Sequence, residues 1–446
     1  MKTLLLSLVL VAGAADARSW TDTQGRTVEA EVVKVNANQT VVLRTGRGKV
    51  VTVPFNTFVE EDVQHLDYLL SRKGRDKLHT VPWQELNELF GLEIWQDDLL
   101  WDDPTAATAE RMKMKKESKT DFMENYRTYP LGKEKLLSEP VYTTALYGGK
   151  DHVDSLSFVF LNQGDMPMGG GRRTAEKIED SGRRVHDILA PVLGKPKRDS
   201  LGSGELREKV WRWDWNGHAI MLSLQDGKYA ALRIMPVERA EQGGRIEKVS
   251  DDELKTRIAS CVEQRDNGDV VIRNIPMVDQ GPKGYCVPAT WERYLRYLDI
   301  PADMYLLALA GNTGIGGGTS TREMIDSARN IISSNGRKLK KIAPPPTMNN
   351  ISRYIDMGLP IMWTLETTPG FRKAIYETTI RRNGEEPEKR NYGSSSGYHI
   401  CLIIGYNKKT GEIATSDSWG FDYAERWVSL QQMQNVSYGA MNIIKW

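Results

Sequence analysis

Gln280-Gly281-Pro282-Lys283-Gly284-Tyr285-Cys286-Val287-Pro288-Ala289-Thr290-Trp291 is the stretch on which the reading of this chain turns. Pro288 suits the first turn of a helix, and Trp291, Tyr294, Leu295 and Leu298 recur at the spacing of its buried face. A helix that begins at Cys286 follows, and the partial positive charge at a helix N-terminus favours thiolate over thiol. The preceding glycines let the backbone turn tightly, which brings the amide donors of Gln280 and Cys286 towards one point. A lone cysteine is more often a small buried hydrophobe, but that reading leaves Gln280 and the residues downstream unexplained.

Downstream, Gly397-Tyr398-His399-Ile400-Cys401-Leu402-Ile403-Ile404-Gly405-Tyr406 has the pattern of a strand with His399 at its start. Alternation puts Cys401 on the same face as His399, so it reads as a packing residue beneath the site. After a turn at Lys408 to Gly411, a further strand from Glu412 delivers Asp417, and Trp419 is placed to cover the His399–Asp417 pair.

Taken together, Gln280 to Trp291, the Gly-Tyr-His strand and Asp417-Ser418-Trp419-Gly420 resemble the papain-like cysteine peptidase superfamily, in particular the bacteriocin-processing, double-glycine branch. The likeness spans about 270–446. Ser320-Thr321-Arg322-Glu323, a capping box opening a helix, and the helix-glycine-strand run Ile351 to Leu365 also fit. The resemblance implies Cys286 as nucleophile, His399 as base and later acid, Asp417 as orienter and Gln280 as oxyanion donor. Papain has Trp directly after its nucleophile and Asn at the orienting position, where this chain has Val287 and Asp417. Those departures favour the bacterial branch.

The polar run Glu366 to Ser396, inserted just before the His399 strand, is read either as a flap over the cleft or as a solvated loop.

At 446 residues, 40% of them hydrophobic, the chain predicts two or three globular domains. A net charge of +1 offers no bulk attraction for nucleic acid or anionic membrane. Lys2, the apolar run Leu4 to Val11 and Ala15-Asp16-Ala17 read as an export signal over 1–17. No later apolar run is long enough to span a bilayer, so a periplasmic or secreted protein without a lipid anchor is expected. Three cysteines, Cys261, Cys286 and Cys401, leave at least one thiol free, with a Cys261–Cys401 pair open.

Alternation over Arg26 to Val33, Thr40 to Arg44 and Lys49 to Val53, followed by a helix over Glu60 to Leu70, predicts a small barrel across 18–70. The runs Trp20 to Arg26, Val28 to Glu31 and Val51 to Phe55 resemble the SH3-like homology module of endocytic adaptors and exported bacterial proteins. That likeness implies a peptide ligand, beside a spacer or docking role.

Residues 71–138 read as a charged helical linker and 139–236 as a middle domain of two strands, a helix and three strands. A second linker covers 237–269 and the peptidase-like domain 270–446. Gly169 to Gly171 lacks the Lys-Ser or Lys-Thr of a phosphate loop and reads as a turn. His152, His186 and His218 lack metal-ligand spacing. The expectation is an exported α+β protein that hydrolyses peptide or related amide bonds of a peptide or protein substrate without cofactor or metal. The alternative is a non-catalytic peptide-binding protein on a degenerate peptidase fold.

Overall fold

The computed structural model describes residues 18–446 except 37–38, 47, 67–80, 169–170, 203, 247–248 and 344. The expected export signal, the last residues of the helix to Leu70 and two glycines of the 169–171 turn lie outside the described residues. Two units are distinct: Met1–Pro82 with the segments Val192–Gly194 and Trp215–Gly217, and the remainder.

In the first unit β1 (Arg18–Thr21), β2 (Thr27–Asn36), β3 (Thr40–Thr45) and β4 (Val50–Pro54) form an antiparallel sheet in sequence order. Alternation sends Trp20, Ala30, Val41 and Leu43 inward, where they meet Phe55, Phe58 and Leu66. The indole N–H of Trp20 donates to the Ala30 carbonyl at 2.9 Å. The first strand was not among the three expected. It is fixed by Asp62, which accepts from the Thr21 N–H at 2.6 Å and from Arg18 at 2.5 Å.

The second unit opens with α1 (Trp83–Phe90) and α2 (Thr105–Arg111). Then come β5 (Lys116–Lys119), β6 (Glu124–Thr128), a hairpin of β7 (Glu134–Leu136) and β8 (Glu139–Val141), β9 (Thr143–Gly148) and β10 (Val153–Asn162). The helix α3 (Gly171–Leu193) leads to β11 (Lys197–Leu201), β12 (Glu208–Trp215), β13 (His218–Gln225) and β14 (Tyr229–Pro236). Eight of these strands make one sheet in the order β11-β12-β13-β14-β10-β9-β6-β5. A Cβ on Gly182 of α3 would come within 2.9 Å of Leu224 on β13, so glycine sets that close approach.

The expectation of a charged helical linker before residue 139 therefore fails in its described part, which supplies two strands to this sheet. Periodicity hides them because Glu117, Ser118, Glu124, Asn125 and Arg127 are polar yet buried, and buried polar groups persist only when paired. The middle domain also has one strand more after its helix than expected, β11.

The second expected linker likewise contains α4 (Val237–Glu241), α5 (Asp251–Ser260) and β15 (Val262–Gln264). Beyond it lie β16 (Asp269–Ile272), α6 (Cys286–Tyr297), α7 (Met304–Ala310), α8 (Thr321–Ser334), β17 (Lys338–Ile342), α9 (Met348–Ile355) and β18 (Ile361–Glu366). The chain ends with α10 (Pro369–Arg382), β19 (Tyr398–Asn407), β20 (Glu412–Ser416), β21 (Arg426–Ser429), α11 (Leu430–Val436) and β22 (Met441–Lys445). An eight-stranded sheet runs β15-β16-β19-β18-β22-β17, with β20 branching from β19 and β21 pairing with β20.

β19 is buried from His399 to Asn407, as a strand covered on both faces must be, and it reads as a near-continuous apolar run. On one face lies α6, whose Thr290 hydroxyl donates to the Ile400 carbonyl at 3.2 Å. The first half of the expected insertion holds the helix α10, seated on the sheet by buried Phe371 and Ile375. Arg372 ties the following segment down through the carbonyls of Tyr392 and Ser395. Too few apolar residues mark its buried side for the sequence to betray a helix. No helix among the described residues is long and apolar enough to cross a membrane.

Candidate active site

Three elements converge on one point. Cys286 is the first residue of α6, whose cap residue Tyr285 makes no side-chain capping bond, so the helix leaves its first N–H groups without intrahelical acceptors. His399 is the second residue of β19, and Asp417 follows directly on β20.

The His399 ring donates through Nε2–H to the Asp417 carboxylate at Oδ1, 2.7 Å away. Its other nitrogen, Nδ1, is thereby left for the Cys286 thiol, which lies beside the ring and acts on it by hydrogen bonding and by charge. Burial alone would push the imidazole down. The Asp417 charge and hydrogen bond, with Cys286, outweigh it and push the ring up to about 10. Burial would likewise raise the Asp417 carboxyl, but His399, Arg426 and the Ser418 N–H together hold it below the usual carboxylate range. The pair is thus built to carry imidazolium against carboxylate.

Asp417 is held on all sides. The Ser418 N–H donates to Oδ1 at 2.9 Å and Arg426 Nη2 to Oδ2 at 2.9 Å. Trp419 stacks on the His399 ring with centroids 4.4 Å apart and planes 26° apart. Tyr423 meets Trp419 edge-on at 5.4 Å, and the Arg426 guanidinium lies 4.7 Å from the Tyr423 ring centroid. The indole thus covers the imidazole of the expected pair.

Gln280 reaches this corner through Ser418. Its N–H donates to the Ser418 carbonyl at 2.8 Å, and its Oε1 accepts from the Ser418 hydroxyl at 2.8 Å. Those contacts settle which way round the side-chain amide lies. Nε2 gives one hydrogen to the Lys283 carbonyl at 3.1 Å, and an amide nitrogen has a second to offer. Gly281 takes φ +69°, and a Cβ there would stand 2.9 Å from the Tyr129 ring.

The three cysteines are free, so the pairing left open between Cys261 and Cys401 is absent. Cys261 and Cys401 are buried, whereas Cys286 is partly exposed. Burial pushes both other thiols up, Cys401 well up. Cys401 packs beneath the site on β19, paired with Trp363 of β18. Among the described residues no group of three or more His, Cys, Asp or Glu is placed to hold a metal ion.

Sequence reasoning missed the contacts of Arg426 and Ser418 with Asp417. Ser418 stood inside the quoted Asp-Ser-Trp-Gly motif and could have been found by asking what its hydroxyl served. Arg426 carries no local signal.

Residues 272–444 match the model of the Peptidase_C39 like family. The solved structure of xylellain, a cysteine protease from Xylella fastidiosa, aligns at 10% identity over 44% of this chain and 90% of that one, with a TM-score of 0.29. No curated protein matches the chain. Similar over 272–444 to the C39-like peptidases, this protein is a cysteine peptidase.

Proposed function

We propose that the protein hydrolyses peptide or related amide bonds through a thioester on Cys286. The sulfur attacks the scissile carbonyl carbon, and the thiol proton resides on His399 Nδ1. As the tetrahedral intermediate collapses, the C–N bond breaks and that proton passes to the departing amine. Water then attacks the thioester with His399 as base, releasing the acid and restoring the thiol. Asp417 holds the ring in position and offsets its charge. The developing oxyanion is met by the N–H of Cys286 and the second hydrogen of Gln280 Nε2.

The observation that carries this reading is His399 standing between a buried carboxylate and the most accessible of the three thiols. Export belongs to the same proposal and rests on the sequence of residues 1–17 alone. An SH3-like, peptide-binding role for the N-terminal sheet is proposed as well, on the likeness carried by residues 20–55.

The test is incubation of the wild type and Cys286→Ala with a diverse peptide library, read by mass spectrometry. Products unique to the wild type are expected, and identical product sets from the two proteins would sink the proposal. In the same samples iodoacetamide should label Cys286 ahead of Cys261 and Cys401.

A further inference from the structure

The middle sheet grips the loop that carries Gln280. The Met277 N–H donates to the Ser118 hydroxyl at 2.9 Å, and the Asp279 N–H donates to Glu117 Oε1 at 2.8 Å. The Tyr129 hydroxyl donates to the Asp279 carbonyl. That carbonyl belongs to the peptide unit whose N–H, on Gln280, points to Ser418. One end of the unit is therefore fixed by the middle domain and the other by the Asp417 corner, with no slack between them. The Tyr129 ring also lies against Gly281, where only a glycine fits.

The same strands hold the nucleophile helix. Arg127 of β6 pairs with Glu117 at 2.7 Å and with Glu292 of α6 at 3.1 Å, all three buried. Tyr147 of β9 donates to Glu292 at 3.1 Å, and Glu292 also accepts from Arg296 at 2.9 Å and the Met304 N–H at 2.7 Å. Tyr285, immediately before Cys286, donates to Asn162 of β10 at 3.2 Å.

Burying this many charges is costly unless each is satisfied. A surface that only tethered two domains would not need them placed on both sides of one peptide unit.

We infer that the β5–β6 edge of the middle domain is a positioning part of the active site, with Glu117 and Tyr129 fixing the Asp279 backbone so that Gln280 aims at the oxyanion. The inference rests on the reading of Gln280 as oxyanion donor. Glu117 and Tyr129 touch no reacting atom and act through the loop.

The test uses the full chain with Tyr129→Phe, which keeps the ring and deletes the donor, alone and on a Gln280→Ala background. The substrate is the best-cleaved peptide of the library. Losing one hydrogen bond of ordinary strength should lower kcat roughly three- to ten-fold. KM should hold, as should the rate of Cys286 alkylation by iodoacetamide, which builds no oxyanion. Hydrogen exchange of the 279–281 amides should speed up by a similar factor, while Glu117→Gln, which retains an acceptor for the Asp279 N–H, should leave it near the wild-type rate. On the Gln280→Ala background Tyr129→Phe should cost nothing more.

Unchanged kcat and unchanged exchange in Tyr129→Phe would overturn the inference. So would the same loss repeated in the absence of Gln280, which would mark a general structural role. Should Gln280→Ala itself turn over like the wild type, the donor role of Gln280 fails, and the exchange rates still decide whether this edge holds the loop.

Discussion

Asp417 finds its supports close by in the chain: Ser418 one residue on, Arg426 nine and His399 eighteen residues away. Asp279, on the other flank of the site, is held by Glu117 and Tyr129 from 162 and 150 residues away. The first flank is a hairpin and its adjoining strand, and it forms whenever the C-terminal sheet forms. The second depends on two sheets meeting in register, so long stretches of chain must be ordered before any of its hydrogen bonds is made. His399 and Asp417, the proposed base and its orienter, are thus held within the peptidase-like domain, whereas the loop that carries Gln280 is held by the middle one. A change in the first flank should act on protonation, and a change in the second on geometry.

The largest effect is expected from Asp417→Asn, which tests whether the local flank works through charge. The amide can still hold the ring, but the negative charge that raises His399 is gone, and Arg426 is left facing an imidazolium. The folded-state value of His399 lies above its ordinary one, so the ring is protonated up to about 10 and loses its proton beyond that. Removing an adjacent opposite charge lowers such a value by about 1–3 units. The basic limb of kcat/KM should move to lower pH by that amount, and a limb that stays put would show that the field of Asp417 does not govern the ring. Tyr129→Phe, on the other flank, should leave the limb where it is.

Next in size is a matched pair of glycine substitutions. Gly281 and Gly411 share φ +69°, so Ala brings the same backbone strain at both. At Gly411 a Cβ meets nothing within 4 Å, whereas at Gly281 it meets the Tyr129 ring at 2.9 Å. The difference between Gly281→Ala and Gly411→Ala therefore isolates the contact with the middle domain, at about 1–3 kcal/mol for overpacking. Thermal midpoints and kcat should both fall further for Gly281→Ala. Equal losses at the two positions would mean that Tyr129 yields freely and that the loop is not clamped.

The same contrast explains what could be read in advance. Cys286, His399, Asp417 and Gln280 were legible because each is a chemically restricted residue type at the start or end of a patterned element. The β19 run and the α6 face gave the C-terminal fold in the same way, and alternation gave three of the four N-terminal strands. Glu117 looked like one charge among many in the expected charged linker over 71–138. What buries it is Arg127 and, through Arg127, Glu292. A buried ion pair spanning more than a hundred residues leaves no period in the sequence. Helix α10 escaped for a related reason: it is seated by Phe371 and Ile375, and by Arg382, which pairs with Asp269 at 2.5 Å. Charge pairing substituted for the apolar stripe on which periodicity depends.

The smallest effect separates the clamp from its titration. Burial pushes the Glu117 carboxyl up, and Arg127 opposes this only in part, leaving it at about 7 against 4.5 when unfolded. The native state therefore binds the proton more tightly than the unfolded chain, and Glu117 favours folding most below about 4.5. That contribution is lost as pH climbs from 4.5 through 7 and is constant above. Glu117→Gln keeps the shape and an acceptor for the Asp279 N–H but cannot titrate. Its thermal midpoint should gain on the wild type as pH rises across this window and run parallel to it on either side. A constant gap from pH 4 to 8 would mean that Glu117 stays ionised against Arg127 throughout, and the clamp on Asp279 would then be held by a permanent carboxylate.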